Sequence, residues 1–186
     1  MQTIPDRYRI TTENYHQMGA IGIFPEDVRV ELIDGELLKM APIGSRHAGT
    51  VMQMVRLLNE LCVGSALVNP QNPIALGEYS EPEPDIALLR TRSDFYKNAL
   101  PAPADVLLII EVAETSARYD RDIKLPLYAQ HGIPEVWLIE LSAGQMEIYR
   151  QPDGNRYKQV LRPGADERIA PELLPHIVVD LTVLGL

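Results

Sequence analysis

The stretch that most constrains this chain runs from Leu107 to Leu141, LLIIEVAETSARYDRDIKLPLYAQHGIPEVWLIEL. It begins in DVLLIIEVA, the most apolar segment of the sequence. That segment lacks polar alternation, as suits a strand at the centre of a sheet covered on both faces. One acid, Glu111, sits near its exit. A bare carboxylate in such a strand is costly unless something pairs with it. Two residues offer themselves: Lys124, on the helix that follows, and Asp85, which stands directly after Pro84 at the start of another apolar strand, DIALLR.

A chain of 186 residues, 46% hydrophobic and 23% charged, is long enough for one domain with a proper core, so residues 1–186 are expected to form a single domain. No apolar run approaches the roughly 18 residues of a membrane span. The N-terminus MQTIPDRYRITTENY carries no basic-then-apolar leader pattern, and the expectation is a cytoplasmic protein. A single cysteine, Cys62 in LLNELCVG, can form neither an internal disulfide nor a thiolate cage, and reads as the buried side of a helix. The net charge of -9 repels nucleic acid at long range and argues against a tight non-specific DNA binder. It does not exclude an enzyme whose acidic site is neutralised by a bound divalent cation. Basic groups lie close in sequence to the candidate acids: Arg118, Arg121 and Lys124 after Glu111, Arg90 and Arg92 after Asp85, and Arg46 with His47 earlier.

Along the chain, Thr11 or Thr12 caps a short helix over ENYHQMGAIG. The segment Val28 to Met40 reads as a hairpin turned at Asp34-Gly35. A long helix starts at Ser45 and runs to about Cys62, with Val51, Met54, Val55, Leu58 and Leu61 at helical spacing and Gly64 closing it. SALVNPQNPIALG supplies one or two strands, EPEPDIALLR another, and DVLLIIEVA the central one. A helix from Tyr119 to His131 ends at Gly132; Pro126 inside it requires a late start or a bend. Glu135 to Leu141 is a strand, QMEIYR and RYKQVLR form a hairpin around Asp153-Gly154, and IVVDLTVL closes the chain as a short strand. The fold class is α+β or α/β: a mixed central sheet flanked by helices, with hairpins toward both ends.

Side chains alternate along LLIIEVA, so Glu111 points with Ile109 and Ala113 while Val112 faces the other way. Asp85, Glu111 and the carbonyl of Val112 together make an all-oxygen donor set with room for waters, the preference of Mg2+ or Mn2+ rather than zinc. Such an ion activates water and offsets charge on a phosphoryl oxygen, and Lys124 can orient the water or stabilise the developing charge.

In these residues and their order the chain resembles the bacterial restriction-endonuclease-like proteins of the PD-(D/E)XK nuclease fold, a group long catalogued as a domain of unknown function. The shared elements are the ELIDGEL hairpin, His47 opening the long helix, the PD pair Pro84 and Asp85, Glu111 and Val112 on the central strand, then D-x-x-x-K-x-x-x-Y followed by GIPEVW. The resemblance runs from Val30 to the strand at Val136–Glu140 and more loosely to both ends. It implies Asp85 and Glu111 as metal ligands and Lys124 as the catalytic lysine, with Glu31 and His47 in the site or bracing it. One departure stands out: the usual motif has its lysine two positions after the second acid, where this chain has Ala113. The resemblance implies a lysine relocated to the next helix, thirteen residues after Glu111, a spacing that lets it fold back.

Each residue also has a plainer reading. Asp85 could cap a turn after two prolines. Glu111 could pair structurally with Arg118 or Arg121, and Lys124 could be a solvated lysine paired with Asp120. Glu31 divides evenly between site and surface; Asp34 and Glu36 read as turn and exposed positions. Glu114 points away from Glu111 if the strand continues. Tyr128 shares the face of Lys124, while Tyr119 and Trp137 read as packing. Two functions from different classes follow. One is a divalent-metal-dependent endonuclease acting on nucleic acid, with DNA as the expected substrate; the same ligands would also serve another phosphate ester. The other is a non-catalytic nuclease fold used for interaction or dimerisation, favoured by the acidity and by Ala113. Retention of Asp85, Glu111 and Lys124 favours the nuclease. A homodimer is expected, with the tail from Ile177 to Leu186 either contributing to it or finishing the monomer's own core.

Overall fold

The structure is a computed structural model that describes residues 7–25 and 27–185. The reading of the first residues as lacking a leader falls partly on 1–6, outside the described residues. Helix α1, Thr12–Ala20, is capped by Thr11, whose side chain accepts from the Asn14 N–H, one of the donors a helix start leaves free. The strands β1, Val30–Ile33, and β2, Glu36–Lys39, form the expected hairpin. Asp34 and Gly35 both take positive φ, 51° and 81°, as a two-residue turn matched to strand twist requires.

Helix α2, Ser45–Leu61, buries Val51, Met54 and Leu58, the stripe that the helical spacing predicts. The central sheet follows, built from β3 (Leu67–Pro70), β4 (Ile86–Leu89), β5 (Val106–Ala113), β6 (Glu135–Glu140), β7 (Gln145–Asp153) and β8 (Arg156–Leu161), in that spatial order. Only β5 and β6 run parallel; the other neighbours are antiparallel. All eight residues of β5 are buried, because helices cover both of its faces. One face carries Leu108, Ile110 and Val112 under α2, while the other carries Ile109 beneath the second helical segment.

That second segment departs from the single helix expected between Tyr119 and His131. It comprises a short turn α3, Ala117–Tyr119, a π-helical turn Asp120–Lys124, and α4, Leu125–Gln130. Pro126 has no N–H to give and clashes with the carbonyl one turn back, so the chain enters α4 through a widened turn. Gly132, at φ 73°, ends it. SALVNPQNPIALG yields only β3, since Pro73 beyond it removes a ladder donor.

The C-terminal strand also differs from expectation. Only Val179–Asp180 is extended (β10), paired with an unforeseen Arg168–Ile169 (β9), and Leu181–Leu184 forms a 3-10 turn capped by Asp180. Ile177, Val179, Leu181 and Leu184 join the core cluster that includes α2. Of the two roles open to the tail, it performs the second and completes this chain's own core. Cys62 is buried and free. No helix among the described residues is long and apolar enough to cross a membrane.

Candidate active site

Five elements converge on one cleft of about 450 Å3. Strand β4 begins at Ile86, which pairs with Ile110, so Asp85 stands across from Glu111. The Asp85 N–H donates to Glu111 Oε2 at 3.3 Å, and the Val112 N–H donates to Asp85 Oδ2 at 2.8 Å. Because the N–H and C=O of one strand residue open to the same edge, the Val112 carbonyl faces the Asp85 side. Ala113, by contrast, gives its carbonyl to Leu141 on the β6 side. The alternation expected along β5 holds, with Ile109 and Glu111 on the face opposite Val112.

Lys124 lies in the π turn and is only 5% exposed. Its Nζ is 3.3 Å from Glu111 Oε1 and 3.4 Å from Glu31 Oε2. Burial alone would push the ammonium down, but Glu111, Glu31 and Asp120 hold its pKa above the ordinary value. It is therefore neither solvated nor paired mainly with Asp120. Tyr128, one turn on, donates to Glu111 Oε1 at 2.5 Å. Burial pushes the Glu111 carboxyl well above the usual range, against the pull of Lys124 and with Asp120 and Asp85 adding to the rise. The arginines proposed as structural partners of Glu111 are engaged elsewhere: Arg118 with Asp122, and Arg121 with Glu140 and Glu147.

Glu31 lines the cleft and is not a surface residue. It is buried and accepts from the Glu83 N–H at 3.3 Å and the Tyr119 hydroxyl at 3.2 Å. The hairpin is held there by a bridge between Leu32 and Glu81. His47, in the first turn of α2, sits 3.0 Å from Asp85 Oδ1. Its hydrogen bond with Asp85 raises its pKa despite opposing burial, helped by the charges of Asp85, Glu114 and Asp120. Its Nδ1 is buried with no partner.

Three residues were misread or missed. Tyr119 is not mere packing, since its hydroxyl binds Glu31. Glu114 does not turn away: β5 ends at Ala113, alternation stops there, and Glu114 lines the cleft. A Cβ at Gly44 would come within 2.7 Å of its carboxylate. Asp120 is buried, lines the cleft and accepts from the Ser116 hydroxyl at 2.8 Å; the D-x-x-x-K spacing was its only sequence signal.

The donor set fits a divalent cation. Asp85 and Glu111 present carboxylates beside a free-facing main-chain carbonyl, the oxygen chemistry that magnesium and manganese prefer. Among the described residues no three His, Cys, Asp or Glu side chains are grouped to hold an ion, so main chain and water must complete the shell. Charge points the same way. Among the described residues, Lys124 and His47 are the only ion-pair partners of Glu31, Asp85 and Glu111, Asp120 has none, and a doubly positive ion would offset the deficit.

The model of the Uma2 family, described as "Putative restriction endonuclease", matches residues 12–183. The chain belongs to the Uma2 family. A solved structure of a "putative nuclease belonging to DUF820" from Anabaena variabilis superposes with a TM-score of 0.73, covering 94% of this chain and 97% of that one at 15% identity. The Uma2 chain thus has a nuclease-like fold, as its motif order implied. No curated protein matches it.

Proposed function

We propose that the protein is a divalent-metal-dependent nuclease, with DNA as the expected substrate. One observation supports the reading: Asp85 and Glu111 adjoin at the start of β4 and the end of β5, with Lys124 against Glu111, inside one acid-lined cleft. Asp85, Glu111 and Val112 would hold the ion. When bound, Mg2+ or Mn2+ supplies Lewis-acid chemistry, lowering the pKa of water and polarising the phosphoryl oxygen.

The chain's own groups do the rest. Lys124, pinned between Glu111 and Glu31, stays protonated and presents a preorganised cation to negative charge that develops on the phosphate. Tyr128 fixes the Glu111 rotamer, and Tyr119 fixes Glu31, so the lysine cannot swing away. His47 orients Asp85 through its Nε2. The relocated lysine is compatible with Ala113, because Lys124 reaches Glu111 from the helix instead of from the strand.

The test is direct. Wild type and Asp85→Ala are incubated with supercoiled plasmid and with single-stranded oligonucleotides, in magnesium and then manganese. Nicking by wild type that vanishes in the variant, at unchanged melting temperature, is the expected result. Equal cleavage by both, or none by either on any substrate, overturns the proposal.

A further inference from the structure

A second, larger groove of about 590 Å3 lies along β3, the free edge of the central sheet. Its largely aliphatic lining also holds the exposed ring of Phe95, Tyr96 and the side-chain amides of Asn59, Asn69 and Asn72, of which the Asn59 and Asn72 Nδ2 groups donate to the Val55 and Pro70 carbonyls. Phe95 is 64% exposed. Phe95 and Tyr96 are consecutive residues at φ 52° and 58°, a left-handed conformation that bulky side chains rarely adopt. The loop holds them there: Asp94 accepts from the Tyr96 N–H, Arg92 stacks on the Tyr96 ring at 4.3 Å, and the Tyr96 hydroxyl donates to the Arg90 carbonyl. Strain of this kind is sustained where the surrounding structure fixes it for use. Across the groove, the Asn69 Nδ2 is buried and has no hydrogen-bond partner.

Groove and cleft adjoin. Gln71 lines the cleft and its amide reaches Asp85 Oδ1 at 3.5 Å, while Asn72, the next residue, lines the groove. The distribution of cations follows the same path. Most lysines and arginines are neutralised in ion pairs; among the described residues those without one are Lys39, Arg46, Arg90, Lys97 and Arg156. Lys39 lines the cleft and Arg46 opens α2 beside it. Arg90 and Lys97 flank the loop that carries Phe95. Few free cations are left for the many phosphate contacts by which proteins track a duplex.

We propose that the β3 groove is the binding track for an unpaired nucleic-acid strand leaving the cleft, with one base stacked on Phe95 and bonded by the amide of Asn69. The occupant is a single strand because an aromatic face and a base-edge amide can engage only an unstacked, unpaired base. Each cavity also has the volume of a small-ligand site, enough for a nucleotide or two. The proposal rests on the reading of the cleft as a nuclease site and assigns that site a substrate class.

The experiment measures fluorescence anisotropy of a labelled mixed-sequence single strand and of its duplex with the full chain in calcium, followed by cleavage of both in manganese. Wild type is expected to bind the single strand more tightly than the duplex. Phe95→Ala weakens that binding about tenfold, the loss of one stacked base, at unchanged melting temperature, and Phe95→Trp restores it. Equal binding by Phe95→Ala, or preference for the duplex, overturns the proposal. So does self-association in sedimentation that only Phe95→Ala abolishes, which would assign the groove to a second copy. Phe95-dependent binding without cleavage by wild type would uphold the groove and sink the nuclease reading; cleavage indifferent to Phe95 would do the reverse.

Discussion

Glu111 and Glu147 lie in one row across the sheet, since Glu111 pairs with Leu138 and Leu138 pairs with Glu147. They share a face and are almost equally buried, at 3% and 4% exposed. Their surroundings are opposite. Glu147 receives Arg121 at 2.8 Å, Arg162 at 2.8 Å and the Tyr149 hydroxyl at 2.6 Å. Against the push of burial, Tyr149 and the two arginines hold its carboxyl below the usual range. Glu111 has one ammonium, shared with Glu31, and one tyrosine, and burial raises it. Burial alone therefore does not mark a functional acid. What distinguishes Glu111 is a positive charge that the chain itself does not fully supply.

The contrast makes ordered predictions. Glu111→Gln should lower cleavage about 10³-fold without lowering the melting temperature, because a neutral amide replaces a carboxyl that burial already drives toward its neutral form; a large drop in melting temperature would erase the distinction between the two acids. Glu147→Gln should behave in the opposite way. It leaves two arginines facing a neutral amide and costs about 3 kcal/mol in urea unfolding, while cleavage per folded molecule is unchanged. A divalent ion should raise the melting temperature of wild type and leave that of Asp85→Ala unmoved, a readout independent of turnover.

The two acids also set opposite slopes of stability against pH. The depressed Glu147 contributes stability that is present above about pH 4.3 and lost as pH falls through its folded pKa. The raised Glu111 holds its proton in the folded chain after the unfolded chain has released it, so metal-free stability declines as pH rises above that same value. Melting curves from pH 3 to 8, with each Gln variant flattening its own limb, would separate them. The smallest effect expected is that of Tyr128→Phe, which removes one bond to Glu111 and costs about 1 kcal/mol.

Most of the architecture was legible because it rests on period and punctuation. The unbroken apolar run of β5, the stripe of α2 and the Asp34-Gly35 turn each have a local cause; the hairpin of β7 and β8 formed as expected, but its turn is Gly154-Asn155, one residue later, with Asp153 paired to Arg156 in the ladder. β9 escaped because a two-residue strand carries no period, the strand expected over IVVDLTVL shrank to β10 at Val179–Asp180, and the tail's placement depends on α2, far away in sequence. Asp85, Glu111 and Lys124 could be found as charged residues at the ends of apolar segments. Asp120 and Glu114 could not, because their direction is set by a widened turn and by a strand that stops one residue earlier. The Phe95 groove was invisible for a related reason: a positive φ on an aromatic residue has no sequence signature.

The widened turn at Asp120–Lys124 takes up one residue more than an α-helical turn would, so the lengths before and after it keep nearly the phase of one continuous helix. Tyr119 and Lys124 therefore reach Glu31 and Glu111 from one segment. Removing a single residue between Asp120 and Lys124 would let the segment close into a regular α-helix with both anchors close to their present settings. The turn thus marks a place where the segment tolerates a change of length, and such a deletion should leave the hairpin attached to the sheet through the bridge of Leu32 and Glu81.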